Sequence, residues 1–165
     1  YLNTNAAQAD DTNVFQAAPT STVFSPQGGA WAGIGTDDIT YIAYCFHSID
    51  GYSKIGSYTG NANANGPFVF TGFRPAFVMI KATAGTEEWY MFDNKRNAYN
   101  SVNQYLHPNS NGAENGYAQG DSQDIVDFLS NGFKIKHARN ALNTSGSDMI
   151  YLAFAESPFK YSNAR

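Results

Sequence analysis

The residues best suited to chemistry lie in Trp89-Tyr90-Met91-Phe92-Asp93-Asn94-Lys95-Arg96. An extended backbone alternates its side chains, so Trp89 and Met91 fall on one face and Tyr90 and Phe92 on the other. Asp93, Asn94, Lys95 and Arg96 then gather at the strand end. Sugars are commonly held by an aromatic platform beside planar polar groups. Asp accepts from a hydroxyl, Asn accepts and donates, and an Arg fork makes paired bonds. Trp89, Asp93, Asn94 and Arg96 are therefore candidate ligand contacts, with Arg74 as a fifth. The same residues also suffice to cap a strand and close a turn. Arg74, ahead of the φ-restricting Pro75, equally suits an ion pair that pins the entry to a strand.

Catalytic constellations are not legible. Glycoside cleavage needs two carboxylates about 5–9.5 Å apart across the bond, and no spacing singles out a pair among the 14 Asp and Glu. The adjacent Glu87 and Glu88 point to opposite faces if they lie on a strand. His47, His107 and His137 have no zinc spacing. Asp121-Ser122-Gln123-Asp124 lacks the full ligand series of a calcium loop. Ser145-Gly146-Ser147 is not a nucleophile elbow, and Gly33-Ile34-Gly35 lacks the strand-to-helix context of a dinucleotide fold. The single cysteine, Cys45, sits in the apolar run from Tyr41 to Phe46 and reads as a small buried hydrophobe. The expectation is a protein that is not an enzyme, with no catalytic residues, no metal and no cofactor.

Those residues need a scaffold, and the composition points to β-structure. Charged residues make up only 15% and apolar residues 42%, which is the balance of a folded chain. The 11 Tyr and 12 Phe, with abundant Thr, suit strands, while Asn and the 15 Gly suit turns. The net charge of −4 and the absence of a Lys/Arg cluster argue against nucleic-acid binding. No apolar run reaches the roughly 18 residues of a membrane-spanning helix, so no membrane insertion is expected.

Strands are expected at Thr22–Phe24, Ile39–Phe46, Phe68–Phe73, Ala76–Lys81, Glu88–Asp93, Ile125–Leu129, Gly132–His137 and Asp148–Ala155, with a bent or bulged strand in Ile49–Ser57. Thr83-Ala84-Gly85-Thr86 joins two of them as a hairpin. Residues 27–36, 59–67, 95–123 and 138–147 read as loops, the third with room for one helical turn, and no segment sustains a helical period. The expected fold is an antiparallel β-sandwich, jelly-roll or lectin-like, without long helices. Its expected core is Ile42, Tyr44, Phe46, Phe70, Phe77, Met79, Phe92, Phe128, Phe133, Ile150, Leu152 and Phe154.

The chain also resembles itself. Tyr1-Leu2-Asn3-Thr4-Asn5 aligns with Tyr105-Leu106-His107-Pro108-Asn109 at an offset of 104, and Phe24 aligns with Phe128 at the same offset. Asp38-Ile39-Thr40-Tyr41-Ile42-Ala43-Tyr44 aligns with Asp148-Met149-Ile150-Tyr151-Leu152-Ala153-Phe154 at an offset of 110, with three of the seven pairs identical. A period near 105 marks repeated domains rather than a solenoid. Residues 1–58 are thus expected to be the second half of a preceding unit, and residues 59–165 a full unit. Either the missing strands lie upstream, or the two pieces close into one sandwich. Coincidence between two β segments of similar composition is the competing reading.

The segments YIAYCFHSIDGYSKIGSYTGN, GPFVFTGFRPAFVMIK, WYMFDNKR, FLSNGFKIK and YLAFAESPFKYSNAR together resemble a domain repeated in tail-fibre and virion structural proteins of tailed bacteriophages. The resemblance spans nearly the whole chain in the same order, and the ending Ala164-Arg165 is similar to that family's usual C-terminus. It implies a virion component partnered by copies of itself, as a homotrimer, and by other virion proteins. It also implies host-surface glycan attachment through the loops at 59–67, 93–123 and 138–147. A capsid or tube decoration protein without receptor binding is the alternative, and a polysaccharide depolymerase a more distant one.

Overall fold

The computed structural model describes residues 2, 4–9, 14–27, 34, 38–116 and 124–158. Of the segments read above, Tyr1, Asn3, most of the glycine-rich loop with Gly33 and Gly35, Asp121-Ser122-Gln123 and Ala164-Arg165 lie outside the described residues. The chain divides into two compact units, one of Tyr1–Ala7 with Phe46–Arg165 and one of Gln8–Cys45.

The strands in chain order are β1 Phe15–Ala17, β2 Ser25–Pro26, β3 Ser53–Thr59, β4 Phe68–Phe70, β5 Pro75–Ala82, β6 Tyr90–Asp93, β7 Gln104–Tyr105, β8 Asn115–Gly116, β9 Val126–Leu129, β10 Gly132–Ile135 and β11 Asp148–Ala155. A four-residue helix, α1 Asn140–Asn143, precedes β11. Every ladder between these strands is antiparallel, so the fold is all-β and sandwich-like. The smaller unit carries the β1–β2 pair, with Phe15 packed edge-on against Phe24.

The larger unit has a four-stranded sheet in the order β3-β11-β5-β6 and a three-stranded sheet in the order β4-β10-β9. β3 runs across the 58/59 boundary of the repeat reading as one continuous strand. Pro75 opens β5, where a missing N–H is tolerated. The inner face of the larger sheet carries Tyr58, Val78, Ile80, Tyr90, Phe92, Met149, Tyr151 and Ala153, all buried. In the smaller sheet Val69, Phe133 and Phe128 form one buried cross-strand row. The Phe133 ring meets Tyr58 and Tyr151 edge-on, with centroids 6.1 and 5.3 Å away, so the two sheets share one core.

Two glycines serve this close packing. Gly56 pairs with Tyr151, and a Cβ there would sit 3.0 Å from the Tyr151 hydroxyl, so the ring lies over bare backbone. A Cβ on Gly132 would approach the Val69 carbonyl oxygen to 2.1 Å, which rules out any side chain at that crossing.

Several expectations are corrected. Residues 39–46 form no strand, and Ile42, Tyr44 and Phe46 are exposed. Cys45 is exposed rather than buried. The early strand is Ser25–Pro26 instead of Thr22–Phe24, and a helical turn lies at Asn140–Asn143, with none among the described residues of 95–123. Phe70 and Ile150 are exposed, and Phe77, Met79, Leu152 and Phe154 only half-buried, because all six stand on outer sheet faces. β5 and β11 are apolar on both faces, so alternation alone does not choose the inward one. The inner face accommodates Gly56 because the Tyr151 ring lies over it. Phe92, Phe128 and Phe133 are in the core as expected.

Candidate functional site

β6 and the residues flanking it carry four of the five candidate ligand contacts, and Arg74 precedes the neighbouring β5. The alternation of β6 is the expected one, with Tyr90 and Phe92 buried and Trp89 and Met91 half-buried on the other side. The strand separates the candidates into two groups at its two ends.

At the C-terminal end, Asp93 Oδ1 accepts from the backbone N–H of Lys95 and of Arg96, both at 2.8 Å. Asp93 Oδ2 lies 2.7 Å from Arg96 Nε, and the Arg96 guanidinium also pairs with Glu114. Asn94 Nδ2 donates to Glu156 Oε1 at 3.0 Å, and Arg74 Nε pairs with Glu156 Oε2 at 3.0 Å. Arg74 also donates to the Phe128 carbonyl at 2.8 Å. The structure thus joins Arg74 and Asn94 through Glu156, and Asp93 with Arg96 through a tight turn. The ion pairs are partly exposed, and such pairs contribute little to stability.

Trp89 stands at the other end. Its N–H donates to Asn109 Oδ1 at 3.0 Å, and its carbonyl lies 2.7 Å from His107 Nδ1. Asn109 in turn donates to Glu88. Three residues of β6 at about 3.3 Å each separate this group from the first. Trp89 therefore does not share a single patch with Asp93 and Arg96, and its polar neighbours are Glu88, His107 and Asn109.

A family model described as a domain of unknown function, DUF7483, matches residues 1–158. The chain belongs to the DUF7483 family. No curated protein and no solved structure matches it.

Behind β6 of this DUF7483 domain lies a ring cluster. Tyr90 and Tyr105 are buried with centroids 4.9 Å apart, and His107 meets both edge-on. Arg139 lies 5.7 and 5.9 Å from the two tyrosine centroids and donates to the Tyr105 hydroxyl at 3.1 Å. Cation–π attraction and this hydrogen bond fix the 137–139 segment against the β6–β7 corner. Burial and the charge of Arg139 hold His137 below the usual histidine value. No group of His, Cys, Asp and Glu able to hold a metal ion occurs among the described residues.

Sequence reading missed Glu156, Glu114, His107, Asn109 and Arg139. No local signal marks them, because Glu156 reaches Asn94 across 62 residues and Arg139 reaches Tyr105 across 34.

Buried titratable groups give a pH prediction. Burial pushes the Tyr58 phenol far above its usual value, and Tyr151 upward as well, while the Tyr58 hydroxyl donates to the Leu142 carbonyl at 2.7 Å. A phenol raised on folding contributes stability that is complete below the unfolded value of about 10 and is lost as pH rises beyond it. Lys81 acts in the opposite direction. Desolvation lowers it against the pull of Glu87 and Glu88, so its contribution improves as pH rises toward about 10.5. In urea titrations of Lys81→Met, the midpoint is expected to fall steeply above about pH 10. Adding Tyr58→Phe makes that fall shallower, and an unchanged slope would contradict the assignment.

Proposed function

We propose that this DUF7483 domain is a structural and binding module of a tailed-phage virion, trimeric through contacts between copies of itself. Its loops contribute to attachment at a host-surface glycan. The observation that carries this reading is the outer face of the four-stranded sheet, where Ile55, Leu152, Met79 and Met91 form one cross-strand row. Ile150 and Phe77 flank that row, and Ile55 and Ile150 are exposed. An apolar row of this kind supports an association surface, and a second copy of the same sheet is its simplest partner. Trimeric display multiplies weak glycan contacts by avidity. Trp89 with Glu88 and Asn109, and the separate group of Arg74, Asp93, Asn94 and Arg96, are the glycan contacts of this reading. The reading assigns no reaction, cofactor or nucleic acid.

The test is an electron-microscopy reconstruction of the particle that carries this chain, coupled to glycan-array binding. Trimeric knobs at a fibre tip, with array binding weakened about tenfold or more by Trp89→Ala, support the proposal; a loss of that size corresponds to about 1.4 kcal/mol. Tiling of a shell or tube with the loops buried in neighbours replaces receptor binding by a purely structural role.

A further inference from the structure

Four positions buried in the larger unit are open in the smaller one. Phe128 is 0% exposed, and its counterpart Phe24 is 41% exposed. Met149 is 0% exposed against 56% for Ile39, and Tyr151 is 6% exposed against 41% for Tyr41. Ala153 is buried and Ala43 exposed. These are the inward-facing positions of β9 and β11, and residues 38–44 keep that pattern as Ile39, Tyr41 and Ala43. Two of the three identities in the alignment, Tyr151 and Ala153, fall on this inward face.

β11 also specifies what such a segment needs. It is a central strand, paired along its length with β3 on one side and β5 on the other. β11 occupies the slot between β3 and β5. At the free edge of β3, the Ser48 hydroxyl accepts from the Ile55 N–H at 3.1 Å and donates to the Ile55 carbonyl at 3.3 Å. At the β6 edge, Met91 exchanges both backbone bonds with Leu106, at 2.9 and 3.1 Å. Each edge of the four-stranded sheet is thus engaged at one position.

We propose that Asp38–Tyr44 is the central strand of a second sandwich, and that its partners are a β3-type and a β5-type strand of another copy of this domain on the N-terminal side. In the larger unit the strands that receive β11, β3 and β5, lie within residues 46–104, ahead of the Tyr105 that aligns with Tyr1. Supplying such strands buries Phe24, Ile39, Tyr41 and Ala43 as Phe128, Met149, Tyr151 and Ala153 are buried. The result is a linear array of sandwiches in which each closing strand belongs to its own unit.

The test compares the 165-residue chain with a fusion that places residues 46–104 directly ahead of Tyr1, by amide hydrogen exchange. Central strands protect consecutive amides, whereas edge strands protect alternate ones. Amides 39–44 are expected to exchange near the unstructured rate in the chain alone. In the fusion they slow consecutively by about 100-fold or more. Ala43→Glu in the fusion is expected to abolish that gain while β11 keeps its protection. Equal exchange at 39–44 in chain and fusion overturns the proposal. So does strong protection in the 165-residue chain alone, which assigns the partner to a second copy of the same chain.

Discussion

Asn143→Ala is expected to lower the unfolding free energy by about 3–4 kcal/mol, although Asn143 lies in a four-residue helix and is not itself a candidate ligand contact. Its side chain is fully buried and makes three hydrogen bonds to backbone. Oδ1 accepts from the Asn61 N–H at 2.8 Å, while Nδ2 donates to the carbonyls of Asn63 at 2.8 Å and His137 at 3.0 Å. Asn143 thereby ties the 60–66 turn to the segment leading into α1. The turn adds its own Asx bonds, Asn61 to Asn63 and Asn63 to Asn65, but these are local and exposed. Each net hydrogen bond lost costs roughly 1 kcal/mol, and a buried group left unpaired costs more. Asn143→Asp is expected to be no better, since it loses both donors and adds a buried charge. Urea unfolding measures the loss, and hydrogen exchange at 61–65 locates it. A loss below about 1 kcal/mol would mean that water replaces the side chain.

The second large effect is expected at Phe133. Phe133→Ala removes a fully buried ring from the row Val69–Phe133–Phe128 and from its edge contacts with Tyr58 and Tyr151 across the core. Large-to-small changes at such sites cost about 3–5 kcal/mol, and the upper part of that range applies here because β-sheets on both sides resist collapse. Phe133→Leu is expected to recover more than half. Phe70→Ala in the same sheet is the control: Phe70 is exposed, so its truncation is expected to cost under about 1 kcal/mol. Denaturant unfolding of the three variants reads the contrast directly, and comparable losses for Phe70 and Phe133 would contradict the inward and outward assignment of the sheet.

That contrast shows where sequence reading stopped. Phe68-Val69-Phe70 is apolar at every position, yet only Val69 faces the core. β5 and β11 present the same ambiguity, and choosing the larger apolar residues selected Ile150, Leu152, Phe154, Phe77 and Met79 on the outer face. β6 was read correctly because its polar end and hairpin partner left one consistent alternation. Arg74 next to Pro75 suggested a pinned strand entry, and Glu156 supplies the carboxylate. That the partner is Glu156 follows only from β11 lying beside β5. Asn143 was invisible, since one Asn in a loop looks like any other until its cavity is known.

By itself the sequence determined the class of the fold, the places of most strands from Phe68 onward and the outward side of β6, because these follow from local propensity, alternation and breakers. It also contained the correspondence between Asp38–Tyr44 and β11. Tertiary structure alone decided which of two apolar faces is core, which polar residues meet, and whether a strand-forming segment becomes a strand. The physical reason is that strand backbones are satisfied only by partners distant in sequence. Asp148–Ala155 has β3 and β5 to receive it, while the similar residues 38–44 form no strand and are exposed.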